Sequence, residues 1–216
     1  MGVQVKICGI TTPEGLAAAT GAGADFIGLV FYPPSPRHVT IEQAARLADM
    51  ARGRARVVAL TVDADDALLD EIAERARPDF WQLHGRESPA RVKEIARRYG
   101  IETIKAFRLR GPEDLRQVAD FLPHIAFPLF DAWHPPGQAD LPGGMGKAFD
   151  WTWLKDHRGA FMLAGGLTPE NVAEAIARTG AAMVDVSSGV ERERGVKDPE
   201  RIAAFVRAAK AAGRAS

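Results

Sequence analysis

A chain of 216 residues is long enough for one domain with a substantial buried core. Hydrophobic residues make up 46% and charged residues 26%, which excludes wholesale disorder. The 28 basic and 28 acidic residues cancel, so no global field draws in nucleic acid or an anionic membrane, and an anionic ligand has to be held locally. The longest apolar runs, such as Phe26–Phe31 and Ala126–Phe130, are strand-sized and far too short to span a bilayer. One cysteine excludes an intramolecular disulfide, and no basic-then-apolar segment opens the chain. A reducing, cytoplasmic setting is the expectation.

The elements repeat in one order: a short strand, a loop, an amphipathic helix. Val3–Cys8 reads as the first strand, followed by a helix over Pro13–Thr20 with Thr12 as its cap and Pro13 in its first turn. Asp25–Phe31 leads to a helix at Ile41–Arg52, capped by Thr40. Arg56–Val62 precedes Asp66–Arg75, and Phe80–Leu83 precedes Pro89–Tyr99, which Ser88 caps and Gly100 stops. Thr103–Phe107 precedes a helix at Pro112–Phe121. Ala126–Asp131 precedes a long loop and a short helix around Trp151–Lys155. Phe161–Ala164 precedes Pro169–Thr179, with Thr168 as cap and Gly180 as stop. Met183–Ser187 precedes the last helix, Pro199–Ala212.

Eight such pairs, with no linker or composition shift between them, predict an α/β fold: a single (β/α)8 barrel of parallel strands with outer helices, spanning residues 1–216. An open doubly wound sheet is the alternative, and it more often carries a Gly-rich fingerprint after its first strand, which Cys8-Gly9-Ile10-Thr11 is not. Pro128 cannot donate to a ladder, so a local bulge is expected in the sixth strand. The long loop Trp133–Lys147 is of a length that tends to be functional.

Chemistry in a barrel of this kind sits at the carboxyl ends of the strands. In the first strand Val3, Val5 and Ile7 share one face, so Lys6 and Cys8 point together into the barrel. A buried ammonium there needs a carboxylate or a bound anion, and its charge favours the thiolate of Cys8. Read from position alone, Cys8 is either a small buried side chain or a functional thiol. Asp131, at the end of the sixth strand, serves either as a turn cap or as an acid–base group. Gly165-Gly166 and Ser187-Ser188-Gly189 follow strands seven and eight, where such barrels bind phosphate through backbone N–H groups and hydroxyls; the alternative is that Gly165-Gly166 only makes a tight turn. Gly144 and Gly146 lie in a third Gly-rich run that suits either a flap or a surface loop. Arg37, on a loop stiffened by Pro33, Pro34 and Pro36, is either a lone surface arginine or a grip for a substrate carboxylate. Gln82 and His84 line the top of strand four, and His84 reads equally as a structural histidine. Asp185 points inward at strand eight, toward a substrate amine or toward Lys6. The histidines show no metal spacing, so no metal is expected.

These residues sit in runs that together resemble one family. Lys6-Ile7-Cys8-Gly9-Ile10-Thr11 is similar to the opening signature of phosphoribosylanthranilate isomerase, from tryptophan biosynthesis. The resemblance continues through Gly28-Leu29-Val30-Phe31, Ser35-Pro36-Arg37, Gln82-Leu83-His84-Gly85 and Leu129-Phe130-Asp131. It resumes in Gly143-Gly144-Met145-Gly146-Lys147, Leu163-Ala164-Gly165-Gly166-Leu167, Asp185-Val186-Ser187-Ser188-Gly189-Val190-Glu191 and Gly195-Val196-Lys197-Asp198. The resemblance implies an Amadori rearrangement of N-(5-phosphoribosyl)anthranilate without a cofactor. It implies Cys8 as base, Asp131 as acid, Arg37 on the substrate carboxylate, and the loops at Gly165-Gly166 and Ser187–Gly189 on its phosphate. The partner implied is a small phosphorylated substrate, with no nucleic acid or membrane, and the chain is expected as a monomer or homodimer.

Three rivals remain. A sister barrel that closes the indole ring needs inward lysines and a glutamate, and apart from Lys6 only Lys105 is available on a strand. The isomerase of histidine biosynthesis resembles a chain with an aspartate where Cys8 stands. A non-catalytic sensor has no need of Cys8 and Asp131.

Overall fold

The computed structural model describes residues 2–132, 150–155 and 157–215. Eight parallel strands close into a barrel in the order β1 to β8: β1 Gln4–Cys8, β2 Phe26–Phe31, β3 Arg56–Thr61, β4 Phe80–Leu83, β5 Glu102–Leu109, β6 Phe127–Ala132, β7 Met162–Leu163 and β8 Met183–Val186. Helices α1 Pro13–Gly21, α2 Ile41–Ala51, α3 Asp66–Arg75, α4 Pro89–Tyr99, α5 Val172–Thr179 and α6 Pro199–Ala215 lie in the connections and after β8. None of the described helices is long and apolar enough to cross a membrane.

Alternation along each strand divides the apolar residues into two sets. Val5, Ile7, Ile27, Leu29, Trp81 and Phe130 face the helices and join one continuous core with Leu16, Leu47, Leu69 and Phe205. Phe26, Val58, Phe80, Ile104, Leu129, Met162 and Met183 form a separate cluster inside the barrel. Beyond that plug, towards the carboxyl ends of the strands, Cys8 packs with Val30 and Leu60. At the opposite end the Arg56 guanidinium lies 3.8 Å from the centroid of the Phe26 ring. Polar side chains converge on the rim beyond that plug, at the carboxyl ends of the strands.

The caps follow their local chemistry. The hydroxyls of Thr12, Thr40 and Ser88 accept from the backbone N–H groups of Gly15, Gln43 and Arg91. Each such cap stabilises its helix by about 1 kcal/mol. Gly100 and Gly180 end α4 and α5 in the left-handed region, at φ 64° and 67°.

Three expectations need correction, and one feature is new. The segment after β5 is a 3₁₀ helix, Pro112–Asp120, followed by a second short one, Leu122–His124. Its inward residues, Leu115 and Val118, are three apart, which a three-residue turn aligns on one face. The helix after β7 starts at Val172 rather than Pro169. There the Thr168 hydroxyl accepts from Glu170 N–H, Thr168 N–H donates to Asn171 Oδ1 and Asn171 Nδ2 donates to Gly166 O, so these residues brace the preceding loop. Pro128 makes no bulge: β5 and β6 pair in continuous register from Ile104↔Phe127 to Leu109↔Ala132. Strand β7 pairs with β6 only from Leu129 onward, so on that flank the missing N–H interrupts no pairing. Finally, β8 is followed by a short 3₁₀ turn, Ser188–Val190, and a two-stranded hairpin, β9 Glu191–Glu193 with β10 Val196–Lys197, which the sequence did not reveal.

Candidate active site

Register places Lys6 beside Asp185 on β8 and Cys8 beside Gly28 on β2. The Lys6 ammonium donates to Asp185 Oδ1 at 3.0 Å, and its side chain is fully buried. A Cβ added to Gly28 would lie 2.9 Å from Cys8 Sγ and 3.1 Å from Lys6 Nζ. The thiol and the ammonium thus converge on the space that glycine leaves. Burial drives the Cys8 thiol above its ordinary pKa, opposed by the charge of Lys6 and assisted by that of Asp185. The expectation that Lys6 would favour the thiolate is therefore outweighed by desolvation, which penalises the charged form. Lys6 itself is raised: burial acts to lower it, and Asp185 and Cys8 more than offset that.

Arg37 reaches the same rim. Gly9 adopts φ 77°, and a Cβ there would run into the Arg37 side chain, so the arginine stem packs over the turn that follows Cys8. Its Nε and Nη2 donate to the two carboxylate oxygens of Glu191 at 2.6 and 2.7 Å. Glu191 also accepts from Lys197 Nζ at 2.7 Å. Lys197 donates in turn to Ser187 O at 3.0 Å, and the Ser187 hydroxyl donates to Cys8 O at 3.1 Å. Burial acts to lower Lys197 and prevails over its pairing with Glu191. For Glu191 burial acts to raise the carboxyl, and the Arg37 hydrogen bond and the Lys197 charge overcome it, leaving it below the ordinary range.

The two Gly-rich loops meet. Gly165 and Gly166 take φ 87° and 68°, and a Cβ on Gly165 would crowd Ala132 at the end of β6. A Cβ on Gly189 would run into the carbonyl oxygen of Leu167. The loop after β7 and the turn after β8 therefore lie against each other, with Ser188 exposed. Ser187 already uses its hydroxyl hydrogen on Cys8 O, which leaves Ser188 and the loop backbone as the donors open to a ligand.

Across the rim, Asp131 points inward from β6. His84 Nε2 lies 3.3 Å from Asp131 Oδ2, and Gln82 Nε2 lies 3.2 Å from His84 Nδ1. With the amide donating to Nδ1, the imidazole carries its hydrogen on Nε2, facing the carboxylate. His84, open to a structural reading, thus joins Asp131. Lys105, which alternates on β5 with the interior residues Ile104 and Ala106, pairs with Glu87 at 3.1 Å and donates to the carbonyls of Leu83 and Gly85, which flank His84. Those bonds hold Lys105 in the scaffold of the β4 loop, not in the cavity. Gly144 and Gly146 lie outside the described residues.

Sequence reasoning brought Cys8, Lys6, Asp185, Arg37, Asp131, His84 and the two Gly-rich loops to one rim, as the strand ends require. It gave no role to Gly28, Glu87, Glu191 or Lys197. A charged run such as Glu191-Arg192-Glu193-Arg194 reads as a solvated surface, and only the hairpin turns Glu191 and Lys197 inward.

A family model described as N-(5'-phosphoribosyl)anthranilate (PRA) isomerase matches residues 5–208. An N-(5'-phosphoribosyl)anthranilate isomerase of Rhodopseudomonas palustris (strain BisA53) is 55% identical over 218 residues, covering 100% of both chains. The chain belongs to the N-(5'-phosphoribosyl)anthranilate isomerase family. Its match runs from the start of β1 to within α6, so it takes in both sides of the rim, from Lys6 to Lys197. The family's enzyme of Parvibaculum lavamentivorans is 52% identical, over 98% of this chain and 100% of that one. In three dimensions the phosphoribosyl anthranilate isomerase of Thermotoga maritima matches with a TM-score of 0.87 at 35% identity, over 97% of this chain and 99% of that one. A further family structure, solved in complex with reduced 1-(o-carboxyphenylamino)-1-deoxyribulose 5-phosphate, matches with a TM-score of 0.83 at 32% identity, over 97% and 99% of the two chains. Membership makes the chain an isomerase of tryptophan biosynthesis.

Proposed function

We propose that the chain converts N-(5-phosphoribosyl)anthranilate to 1-(2-carboxyphenylamino)-1-deoxyribulose 5-phosphate by general acid–base catalysis, with Asp131 as acid and Cys8 as base. The observation that carries this reading is that both side chains point inward from the carboxyl ends of β6 and β1, with β7 and β8 the two strands between them on one side. The relative bound to a reduced carboxyphenylamino-deoxyribulose phosphate supports the choice of substrate.

Asp131 delivers a proton to the furanose ring oxygen, the bond from that oxygen to C1 breaks, and C1 becomes an iminium. The Cys8 thiolate then removes the proton from C2, and the electron pair moves into a C1–C2 double bond as the iminium is neutralised. The resulting enolamine takes a proton at C1 and loses one from the C2 hydroxyl, giving the ketone. Composition is unchanged and no cofactor enters. Cys8 rests as the thiol, because burial disfavours its anion. The iminium's positive charge draws its pKa down when substrate is bound, the S–H proton passes to solvent, solvent returns one to C1, and the C2 hydroxyl proton restores Asp131. His84 orients Asp131. Arg37 takes the anthranilate carboxylate, and the loops at Gly165-Gly166 and Ser188-Gly189 take the phosphate through their backbone N–H groups. Asp185 neutralises Lys6, so the surplus cation of the Arg37–Glu191–Lys197 group is the local charge that receives an anionic substrate on a chain of zero net charge.

Anthranilate fluorescence tests the assignment. Cys8→Ala and Asp131→Ala each lower turnover by about 10²- to 10⁴-fold, the usual weight of a general acid or base. Affinity for the reduced product analogue stays within several-fold. Near-wild-type turnover in either variant removes that residue from its role.

A further inference from the structure

We propose that Glu191 is a positioning residue for substrate recognition: it fixes the plane of Arg37 for the substrate carboxylate and, through Lys197, ties that grip to the loop after β8. The inference rests on the reading that Arg37 binds the carboxylate.

The Glu191 carboxylate is almost fully enclosed, with a side-chain exposure of 4%. Its four bonds are divided evenly. Oε1 accepts from Arg37 Nε and Lys197 Nζ, and Oε2 accepts from Arg37 Nη2 and from the backbone N–H of Gly195 at 3.1 Å. A guanidinium presents two edges able to grip a carboxylate, one formed by Nε and Nη2 and one by Nη1 and Nη2. Glu191 occupies the first. The second therefore points away from Glu191, and the arginine side chain retains 20% exposure. An arginine with its plane already set loses less rotational freedom when a second carboxylate binds.

The hairpin is built to hold this arrangement. Gly195 turns at φ 85°, and a Cβ there would lie 2.9 Å from Pro36 O, so a glycine lets the β9–β10 turn seat against the loop that carries Arg37. Lys197, with a side-chain exposure of 3%, bridges Glu191 to Ser187 O. One carboxylate thus links the arginine, the hairpin and the strand-eight loop. A buried ion pair is weak evidence for stability as such, because desolvation offsets much of its attraction. A buried carboxylate serving two cations beside the rim fits a positioning role better.

The test compares two substrates, N-(5-phosphoribosyl)anthranilate and N-(5-phosphoribosyl)aniline, which lacks the carboxylate. The readout is the ratio of their kcat/KM values, measured on one preparation so that any inactive fraction cancels. Wild type favours the carboxylated substrate, and Arg37→Ala abolishes the preference. Glu191→Gln lowers the ratio by roughly tenfold, the scale of one charge-assisted hydrogen bond, chiefly through KM for the anthranilate. Glu191→Asp keeps the charge but draws it back by one methylene, lowers the ratio less, and serves where the Gln variant does not fold. A ratio in both Glu191 variants that equals or exceeds the wild-type ratio, while Arg37→Ala abolishes the preference, overturns the positioning role and leaves the Arg37 reading intact. An unchanged ratio in Arg37→Ala overturns the Arg37 reading and this inference with it.

Discussion

His84 Nε2 stands 3.3 Å from Asp131 Oδ2, and the amide of Gln82 approaches the other ring nitrogen at 3.2 Å. The imidazole is thereby held between two partners and orients the carboxyl that we propose as the acid. Removing it leaves Asp131 in place but free to rotate. His84→Ala therefore lowers kcat by about tenfold, less than loss of the acid itself, with KM little changed. Steady-state kinetics decide it; a change confined to KM places His84 in substrate binding instead.

Cys8 gives the pH dependence. Burial holds its thiol above the ordinary value, which lies near 8.5 for a free cysteine, with the Lys6 charge opposing. The group is protonated at neutral pH and ionises only as pH rises past that ordinary value. Iodoacetamide labelling of the free protein, followed by mass spectrometry, therefore accelerates with a midpoint in the alkaline range. Lys6→Met removes the opposing charge and moves the midpoint higher still. A midpoint near neutrality in the wild type contradicts the burial argument.

Gly28 sets how closely Cys8 and Lys6 approach. In Gly28→Ala the new methyl would lie 2.9 Å from Sγ and 3.1 Å from both Nζ and the Cys8 Cα. Real Cβ atoms do not tolerate the first of these distances, and backbone cannot yield as a side-chain tip can. The variant loses about 1–3 kcal/mol of stability by overpacking, and turnover falls as the thiol is displaced. Thermal melting with parallel turnover assays measures both; unchanged turnover shows that the thiol has room to move.

The barrel was legible because periodicity and caps are local. Thr12, Thr40 and Ser88 announce helices through the residues beside them, and β1 declares its two faces by alternation. What sequence could not show depends on neighbours far along the chain. The inward Lys6 signalled a need for an anion, but its balance with Cys8 depends on Asp185, 179 residues away. Arg37 signalled a carboxylate partner, yet the partner it meets in the structure is Glu191, 154 residues on. The two misread segments have different causes. After β5 the helix begins where expected, but Leu115 and Val118 lie three apart and suit a 3₁₀ turn. After β7 the hydrogen bonds among Gly166, Thr168 and Asn171 determine where winding begins.

Glu191 carries a second dependence on pH, on the acid side. Its folded carboxyl lies below the ordinary glutamate value, near 4.3 in an unfolded chain, because Arg37 and Lys197 outweigh its burial. Below the unfolded value the unfolded chain binds a proton that the folded chain still refuses, so stability falls as pH falls. The contribution is complete above about pH 4.3 and is lost as pH drops through the lower folded value. Denaturant unfolding of wild type and Glu191→Gln reads it directly. The stability gap between the two is constant from neutral pH down to that point and then narrows, since the amide has no proton to gain. A gap that stays constant into strong acid shows that Arg37 and Lys197 do not hold the carboxylate ionised, and the electrostatic account of this cluster is then wrong.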